Sequence, residues 1–276
     1  MSNHLRLSTT TRCLGYAAIG CLLMVAAEQR IFAQAVRIEI ENLGASTDFF
    51  LTPLWVGLHD GSFDLFSVGT AVTPGLESVA ETGSPAILMT EFAGPNRLQS
   101  VAADPAGFGS LPGQPPVIDP GNTAVTEIAV SNPAAYRYFS FASMVIPSND
   151  AFVGNGNPTA HELFDALGNF NGTQVIDLTA ASIYDAGTED NTGLGAAFST
   201  LGGVETDTIG GTASQGPDLT NFIGTVTAAG TTIGAVPGSS PFARITISLV
   251  PEPASAALVG LGAWGMLGMI GRRRRA

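Results

Sequence analysis

The chain has 276 residues, 45% of them hydrophobic and 12% charged, which is enough to bury a core as one large domain or two small ones. Few charges, 34 glycines and many Thr, Ser, Val and Ala residues favour an exported all-β protein. The sequence has no lysine and a formal net charge of −12, so it repels nucleic acid, and we exclude a nucleic-acid partner.

The N-terminal segment, residues 1–35, has the pattern of a signal peptide. Arginines precede the apolar run CLGYAAIGCLLMVAA, and Ala33 and Ala35 then form the small-x-small pattern of a signal peptidase site. We predict cleavage after Ala35. Both cysteines lie within this segment, so the mature chain is predicted to contain no disulfide.

Strand patterns recur from residue 36 to residue 249 without a polar linker or charge block to divide them. In AVRIEIENL, Val36, Ile38 and Ile40 alternate with polar residues, as in a strand with one buried face. Two apolar stretches about the turn Asp60-Gly61 predict paired strands, or a strand and an ordered loop. Further strands are predicted at 123–130, 136–146 and 242–250, with one or two more in TQVIDLTAASIYDAG.

Helical and irregular segments separate these strands. Residues 75–99 have Leu76, Val79 and Ala80 at helical spacing before Gly and Pro interrupt them, which predicts short helical turns. Residues 160–170 are predicted as a helical turn or loop. A surface loop is predicted at 104–122, and long loops or weak edge structure at 193–240. The whole pattern predicts a single antiparallel β-sandwich with short helical turns and long loops.

The C-terminal segment, residues 250–276, combines three features in a fixed order. A Pro251-Glu252-Pro253 motif precedes roughly 18 apolar and small residues, about the length of a membrane span. Four basic residues follow, as expected on the cytoplasmic side: Arg272, Arg273, Arg274 and Arg275. This ending resembles the PEP-CTERM sorting signal of exported proteins in Gram-negative bacteria. The resemblance implies transient inner-membrane anchoring, cleavage near the motif by an exosortase, and release or transfer to the cell surface.

Without both ends, four arginines remain against twenty-one acidic residues, a net charge of about −17. Such a surface attracts cations, so the carboxylates are the main candidates for a functional site. Gly-x-Ser-x-Gly and zinc-hydrolase motifs do not occur, and only His59 and His161 remain as histidines. A carboxylate pair could still serve an extracellular glycan hydrolase. The candidate pairs are Glu162 with Asp165 and Glu189 with Asp190.

Acidic residues also stand at the ends of two apolar strands. Asp150 follows FASMVIPS, and Asp185 follows TAASIY and precedes Glu189 and Asp190. Calcium takes six to eight oxygen ligands from carboxylates, amides and carbonyls, and two acidic loops brought together would repel each other without a cation. The sequence therefore predicts a calcium site here. The alternative, solvated turn acids in a matrix protein without metal, stays open.

The same two loops carry a resemblance to the spondin domain. SFASMVIPSNDAFVGNGNP and SIYDAGTEDNTG resemble its paired signatures, and VRIEIENL, FLTPLWVGLHDGSFDLF and LESVAETG fit bacterial members. The resemblance implies a β-sandwich similar to C2 domains over residues 36–249, in an extracellular or matrix-associated protein without enzymatic activity. It also implies a calcium ion bound by loops at one end of the sandwich.

Matched residue by residue, Asp150 and Asp185 take the leading acidic positions, Glu189 stands where Asp is commoner, and Asp190 extends the second loop. Asn149 is a neutral candidate ligand. Ala151 replaces the Trp usual in animal members, and animal adhesion partners do not carry over to a bacterial surface. An extracellular polysaccharide or a surface protein is the expected partner.

Overall fold

The computed structural model describes residues 34–106 and 116–250. The predicted signal peptide up to Ala33, the sorting motif and the arginine cluster lie outside the described residues. Within the described ranges, no helix is both long and apolar enough to cross a bilayer. The export and sorting signals therefore stay predictions.

The described residues contain eleven strands and two α-helices. In chain order the strands are β1 (Gln34–Asn42), β2 (Phe50–Leu51), β3 (Leu54–His59), β4 (Arg97–Ala102), β5 (Thr123–Val130), β6 (Tyr138–Ile146), β7 (Ala151–Gly154), β8 (Gln174–Leu178), β9 (Ile183–Asp185), β10 (Ser214–Gln215) and β11 (Ala243–Leu249). The helices are α1 (Pro74–Thr82) and α2 (Ala86–Phe92), both between β3 and β4.

The strands form two sheets with antiparallel pairing throughout. The first sheet has the order β5-β1-β11-β8, and the second has the order β10-β9-β7-β6-β3-β4, with β2 also paired to β6. Their facing side chains share one hydrophobic core. The structure thus confirms the predicted all-β antiparallel sandwich.

The first sheet follows the alternation of its sequence. Val36, Ile38 and Ile40 of β1 are 0% exposed, while the residues between them face solvent in part. They pack with Ile245 and Ile247 of β11 against the second sheet. Period-two patterning is informative here because only one face of this sheet is covered.

The second sheet is covered on both faces, so its central strands do not alternate. All six residues of β3 are buried. Trp55 points to the outer face and meets the ring of Phe92 from α2 in a T-shaped contact with centroids 5.0 Å apart. The two helices thus form a third layer over this sheet.

Local sequence explains where α1 begins and ends. The hydroxyl of Thr73 accepts a hydrogen bond from Leu76 N at the helix start, where Pro74 occupies the first turn. Gly83 ends the helix in a left-handed conformation, with φ at +69°. Leu76 and Val79 are buried, as the helical spacing predicts.

Several segment predictions need correction. Residues 151–154, predicted as part of a loop, form β7, an interior strand of the second sheet. Residues 97–99, the end of the predicted helical stretch, instead begin β4, whose residues before Ala102 are only partly buried and lack a clear period. Residues 160–170 form a loop with isolated bridges, which is one of the two alternatives that the sequence predicts. The long loop at 193–240 is confirmed, since it holds only β10 and one short 3-10 helix.

The predicted cleavage point falls inside a strand. Ala35 pairs with Ala129 across β5, and its carbonyl accepts a hydrogen bond of 2.8 Å from Val250 N. Cleavage after Ala35 would remove only the first two residues of β1, so the strand itself is compatible with the predicted processing.

Candidate metal centre

The two acidic loops lie at the same end of the second sheet. β7 pairs with β9 in a register that sets Ala151 opposite Asp185. Asp150 immediately precedes β7, so it lies beside Asp185, where β9 ends. The structure thereby brings together the two strand-end acids that the sequence singled out. We call residues 148–150 and 185–191 the acidic rim.

Asp150 is fully buried and organises the second loop. Its Oδ2 accepts hydrogen bonds from the backbone nitrogens of Thr188 at 2.9 Å and Glu189 at 3.0 Å. Its Oδ1 accepts a bond of 2.8 Å from the amide of Asn191. A buried carboxylate is tolerated only with such donors, so this residue fixes the shape of the rim.

Asn191 joins the two aspartates, and the sequence analysis missed it. Its Nδ2 donates to Oδ1 of Asp150 at 2.8 Å and to Oδ2 of Asp185 at 2.9 Å. Its Oδ1 accepts a bond of 3.1 Å from Asn149 N. The available signal was its position directly after the acidic run Glu189-Asp190. An amide here places partial positive charge between two carboxylates.

Asn149 holds the rim together through both ends of its side chain. Its Nδ2 donates to Glu189 Oε2 at 3.3 Å and to the carbonyl of Leu194 at 3.0 Å. Its Oδ1 accepts a bond of 3.0 Å from Gly193 N. Asn149 is only 1% exposed. Its amide oxygen, which the sequence predicts as a ligand, is already occupied by the hydrogen bond from Gly193 N.

Asp190 lies at the margin of the rim. It is exposed, and its Oδ1 accepts a hydrogen bond of 3.2 Å from the hydroxyl of Thr208. Three further acids that the sequence analysis did not assign add negative charge around the rim: Glu81 of α1, Glu205 and Asp207. Tertiary structure has therefore collected carboxylates from four separate segments: the two loops of the rim, α1 and residues 205–207.

Burial and neighbouring negative charges raise the pKa of three acids in this region, Asp185, Glu189 and Glu81. Burial, followed by the charge of Asp150, raises the pKa of Asp185 to about 6, against hydrogen bonds that lower it. Burial raises the pKa of Glu189 to about 7, and the charges of Glu81 and Glu205 add to this. Burial likewise raises the pKa of Glu81 above its usual range.

No arginine of the described residues relieves this charge, because all four bind elsewhere. Their partners are Glu39 and Glu127 for Arg37, the carbonyl of Phe92 for Arg97, Glu162 for Arg137, and Asp177 for Arg244. The rim is thus a cluster of oxygen atoms in which the pKa values of Asp185 and Glu189 are raised, and no arginine of the described residues lies beside it.

The donor set fits calcium better than a transition metal. Within residues 34–106 and 116–250, no three His, Cys, Asp or Glu side chains are grouped closely enough to hold a metal by themselves. A cation here would therefore also need amide or backbone oxygens. Calcium accepts such mixed oxygen ligands and water, whereas zinc prefers nitrogen and sulfur.

Gly187 allows the second loop to fold against its neighbour. Its φ is +72°, and a Cβ atom at this position would stand 2.5 Å from the carbonyl oxygen of Thr212 and 2.6 Å from its nitrogen. Only glycine combines this dihedral with such a close backbone approach. The loop shape that presents Thr188 and Glu189 to Asp150 depends on it.

The other candidate residues have structural partners. Glu162 forms an ion pair with Arg137, and Asp165 accepts bonds of 2.9 Å from both the backbone and the side chain of Asn169. His59 is fully buried and lies 3.0 Å from the hydroxyl of Ser140. The glycan-hydrolase alternative thus finds raised carboxyl pKa values at Asp185 and Glu189 of the acidic rim, whereas hydrogen bonds from Asn169 lower the pKa of Asp165.

Comparison with known proteins adds a family to this geometry. A search of curated protein sequences finds no match. The sequence profile of the Spondin_N family matches residues 47–201, which include both loops of the acidic rim. Since this match covers more than half of the 276 residues, the chain belongs to the Spondin_N family.

Proposed function

We propose that this protein is an exported, non-enzymatic adhesion or interaction module whose acidic rim binds calcium. Membership of the Spondin_N family supports an extracellular, adhesion-type module. The observation that carries the calcium proposal is the pairing of a fully buried Asp150 with Asp185 and Glu189, whose pKa values rise to about 6 and about 7.

In this proposal Asp150, Asp185 and Glu189 supply carboxylate oxygens, with amide and backbone oxygens of the rim completing the set. Calcium would neutralise the mutual repulsion of the two loops and so tie β7 to the segment after β9. Its role is to stiffen one end of the sandwich for contact with a partner. Because the rim is acidic throughout, it favours a cation over any anionic ligand.

The test is thermal unfolding of the full-length protein in EDTA, followed by titration with calcium or magnesium. A ligand that binds only the folded state at a hundredfold excess over Kd stabilises it by about 2.7 kcal/mol, which is roughly 5–10 °C in a domain of this size. We expect a calcium-selective rise that is lost in Asp185→Asn. The matched control, Asp64→Asn, alters an exposed aspartate that bonds Ser67 and should retain the rise.

No rise with either cation would remove the calcium proposal and leave a matrix protein without metal. An equal rise with magnesium would also contradict the proposal, since the rim would then bind divalent cations without selecting calcium. Hydrolysis of an extracellular glycan by the wild type, lost in Glu189→Gln, would instead support the enzymatic alternative. The module proposal itself expects no such activity.

The termini carry a separate part of the proposal. We propose export through the signal segment and sorting by an exosortase to the envelope, cell surface or matrix of a Gram-negative bacterium. The support is the sequence pattern around Ala33 and Ala35, at Pro251-Glu252-Pro253 and in the arginine cluster. Mass analysis of the surface-extracted protein should find a first residue at Val36 and a last residue near Pro251; an intact C-terminus would contradict sorting.

A further inference from the structure

An open cleft of about 570 Å³ lies at the edge of the sandwich, at the other end of β7 and β9 from the acidic rim. The strands are antiparallel, so Asp185 opposes Ala151 at the rim, while Gly154 and Ser182 lie toward the cleft. At about 3.3 Å per residue, the two places are roughly 10 Å apart. The cleft is therefore distinct from the candidate metal centre.

The cleft has no charged lining. None of the residues that line it is Asp, Glu, Lys or Arg, although the described part of the chain is strongly acidic. Burial lowers the pKa of His161, the one titratable imidazole in the lining, so its ring is neutral at physiological pH. A neutral ligand would be accepted here without desolvating an unpaired charge.

Two rings in the lining are held in place by other rings. Tyr184 meets Phe66 in a T-shaped contact with centroids 4.7 Å apart and lies 5.8 Å from Phe152. His161 lies 6.0 Å from Phe141. Such contacts fix the rings before any ligand arrives, which reduces the entropy lost on binding.

The same rings carry unused hydrogen-bonding atoms. Among the described residues, the hydroxyl of Tyr184 and the ring nitrogens of His161 have no hydrogen-bond partner. The amide nitrogen of Asn157 is likewise unused, while its Oδ1 accepts bonds from Thr159. The cleft thus combines apolar ring surface with several neutral donors and acceptors, the composition of a small-molecule site.

The cleft does not offer a sheet edge to a peptide strand at β6. Phe141 N already donates to Asn155 Oδ1 at 3.0 Å, and Phe139 N donates to the carbonyl of His161 at 3.0 Å. The carbonyl of Phe139 accepts from Asn155 Nδ2 at 3.4 Å. Addition of a peptide strand needs free backbone N–H and C=O groups, and those of Phe139 and Phe141 named above already form hydrogen bonds within the protein.

We propose that this cleft binds a neutral saccharide. A sugar ring presents C–H bonds on its faces, which pack on aromatic rings, and hydroxyl groups at its edge, which both donate and accept hydrogen bonds. The cleft matches both features: its aromatic rings offer faces for packing, and the phenol of Tyr184, the imidazole of His161 and the amide of Asn157 can form hydrogen bonds. The proposal does not depend on calcium at the rim.

The test uses the full-length protein in a detergent without a sugar headgroup. The probes are neutral gluco-, manno- and galacto-oligosaccharides and the corresponding uronic-acid oligosaccharides, with binding measured by calorimetry. Tyr184→Phe and His161→Phe keep the rings and remove the polar atoms, so each should weaken binding about 3–10-fold. Ala181→Trp fills the cleft from an exposed position and should abolish binding, whereas Tyr136→Phe, outside the cleft, should bind as the wild type does.

Three results would overturn the proposal: no binding of any neutral oligosaccharide by the folded protein, stronger binding of the uronic acids, or unchanged affinity in the two phenylalanine variants. Because Tyr184→Phe preserves the ring packing, it decides the question even if Ala181→Trp does not fold. Each assay runs with calcium and with EDTA, so failure of the rim proposal is visible separately from failure of this one.

Discussion

Neutralising one carboxylate of the acidic rim should stabilise the metal-free protein and destabilise it relative to wild type once calcium is present. We choose Glu189→Gln, because the glutamine retains an oxygen that can accept the bond from Asn149 Nδ2, 3.3 Å from Glu189 Oε2 in the wild type. The substitution removes only the charge, which stands among those of Glu81, Glu205 and Asp150.

The folded-state pKa of Glu189, about 7, lies above its ordinary value of 4.5. The folded protein therefore holds a proton that the unfolded chain has lost between these pH values. The stability from this group is complete below pH 4.5 and is lost as the pH rises through about 7. At pH 8 without metal, the ionised carboxylate lowers the free energy of unfolding.

The full difference corresponds to about 3 kcal/mol at roughly 1.4 kcal/mol per pH unit. Because the Glu189 side chain keeps contact with solvent, screening reduces this to about 1–2 kcal/mol. In a domain of this size, that raises the melting temperature of Glu189→Gln by roughly 3–6 °C at pH 8 in EDTA. At pH 4.5 the two proteins should unfold at nearly the same temperature.

The assay is thermal unfolding of wild type and Glu189→Gln at pH 4.5 and pH 8, each in EDTA and in saturating calcium. Glu41→Gln is the control, since Glu41 is exposed at the end of β1 and lies apart from the rim. The expected signature is a reversal: the variant is the more stable protein in EDTA at pH 8, and the wild type is the more stable in calcium.

The reasoning is refuted if Glu189→Gln is no more stable than wild type at pH 8 in EDTA, because the carboxylate would then carry no repulsive cost. An equal gain of both proteins on addition of calcium would separately show that Glu189 is not a ligand.

The remaining predictions concern buried groups and loop geometry. Burial lowers the pKa of His59 to about 4, so the stability that its neutral ring contributes is present above pH 6.5 and is lost as the pH falls through 4. In urea unfolding, the difference in unfolding free energy between wild type and His59→Gln should shrink over that range. A constant difference would contradict this. Gly187→Ala should cost about 2 kcal/mol or more, since its Cβ would meet the backbone of Thr212, whereas Gly172→Ala, also at positive φ but in open space, should cost about 1 kcal/mol. Asn191→Ala should lower the melting temperature in EDTA by several degrees, because Asp150 and Asp185 lose their shared hydrogen-bond donor. Calcium should restore part of the lost melting temperature. An unchanged melting temperature in EDTA would show that the amide does not support the rim.

Local pattern was sufficient for the elements whose environment is simple. β1 alternates because one face of its sheet is buried, and α1 begins and ends where a threonine cap, a proline and a glycine require it. Asp150 and Asp185 could be singled out because each follows an apolar run with the pattern of a strand, at the point where that run ends. In these cases the physical cause acts between residues close in sequence.

Strand β7, the surroundings of the two aspartates and the cleft depend on contacts between segments that are distant in the sequence. The sequence predicts residues 151–154 as part of a loop, because four residues between turn residues are too few to show a period of two. Pairing with β6 and β9 makes them strand β7. Asn191, Glu81 and Glu205 joined the rim only through the packing of separate loops and a helix, which also raised the carboxyl pKa values by burial. The cleft beside Tyr184 is likewise lined by residues that are far apart in the sequence, from Ser67 to Tyr184. The sequence by itself determined the fold class, the family resemblance and the two acids at the centre of the rim; the tertiary structure decided which side chains surround them, because burial and charge repulsion arise from atoms brought together across the chain.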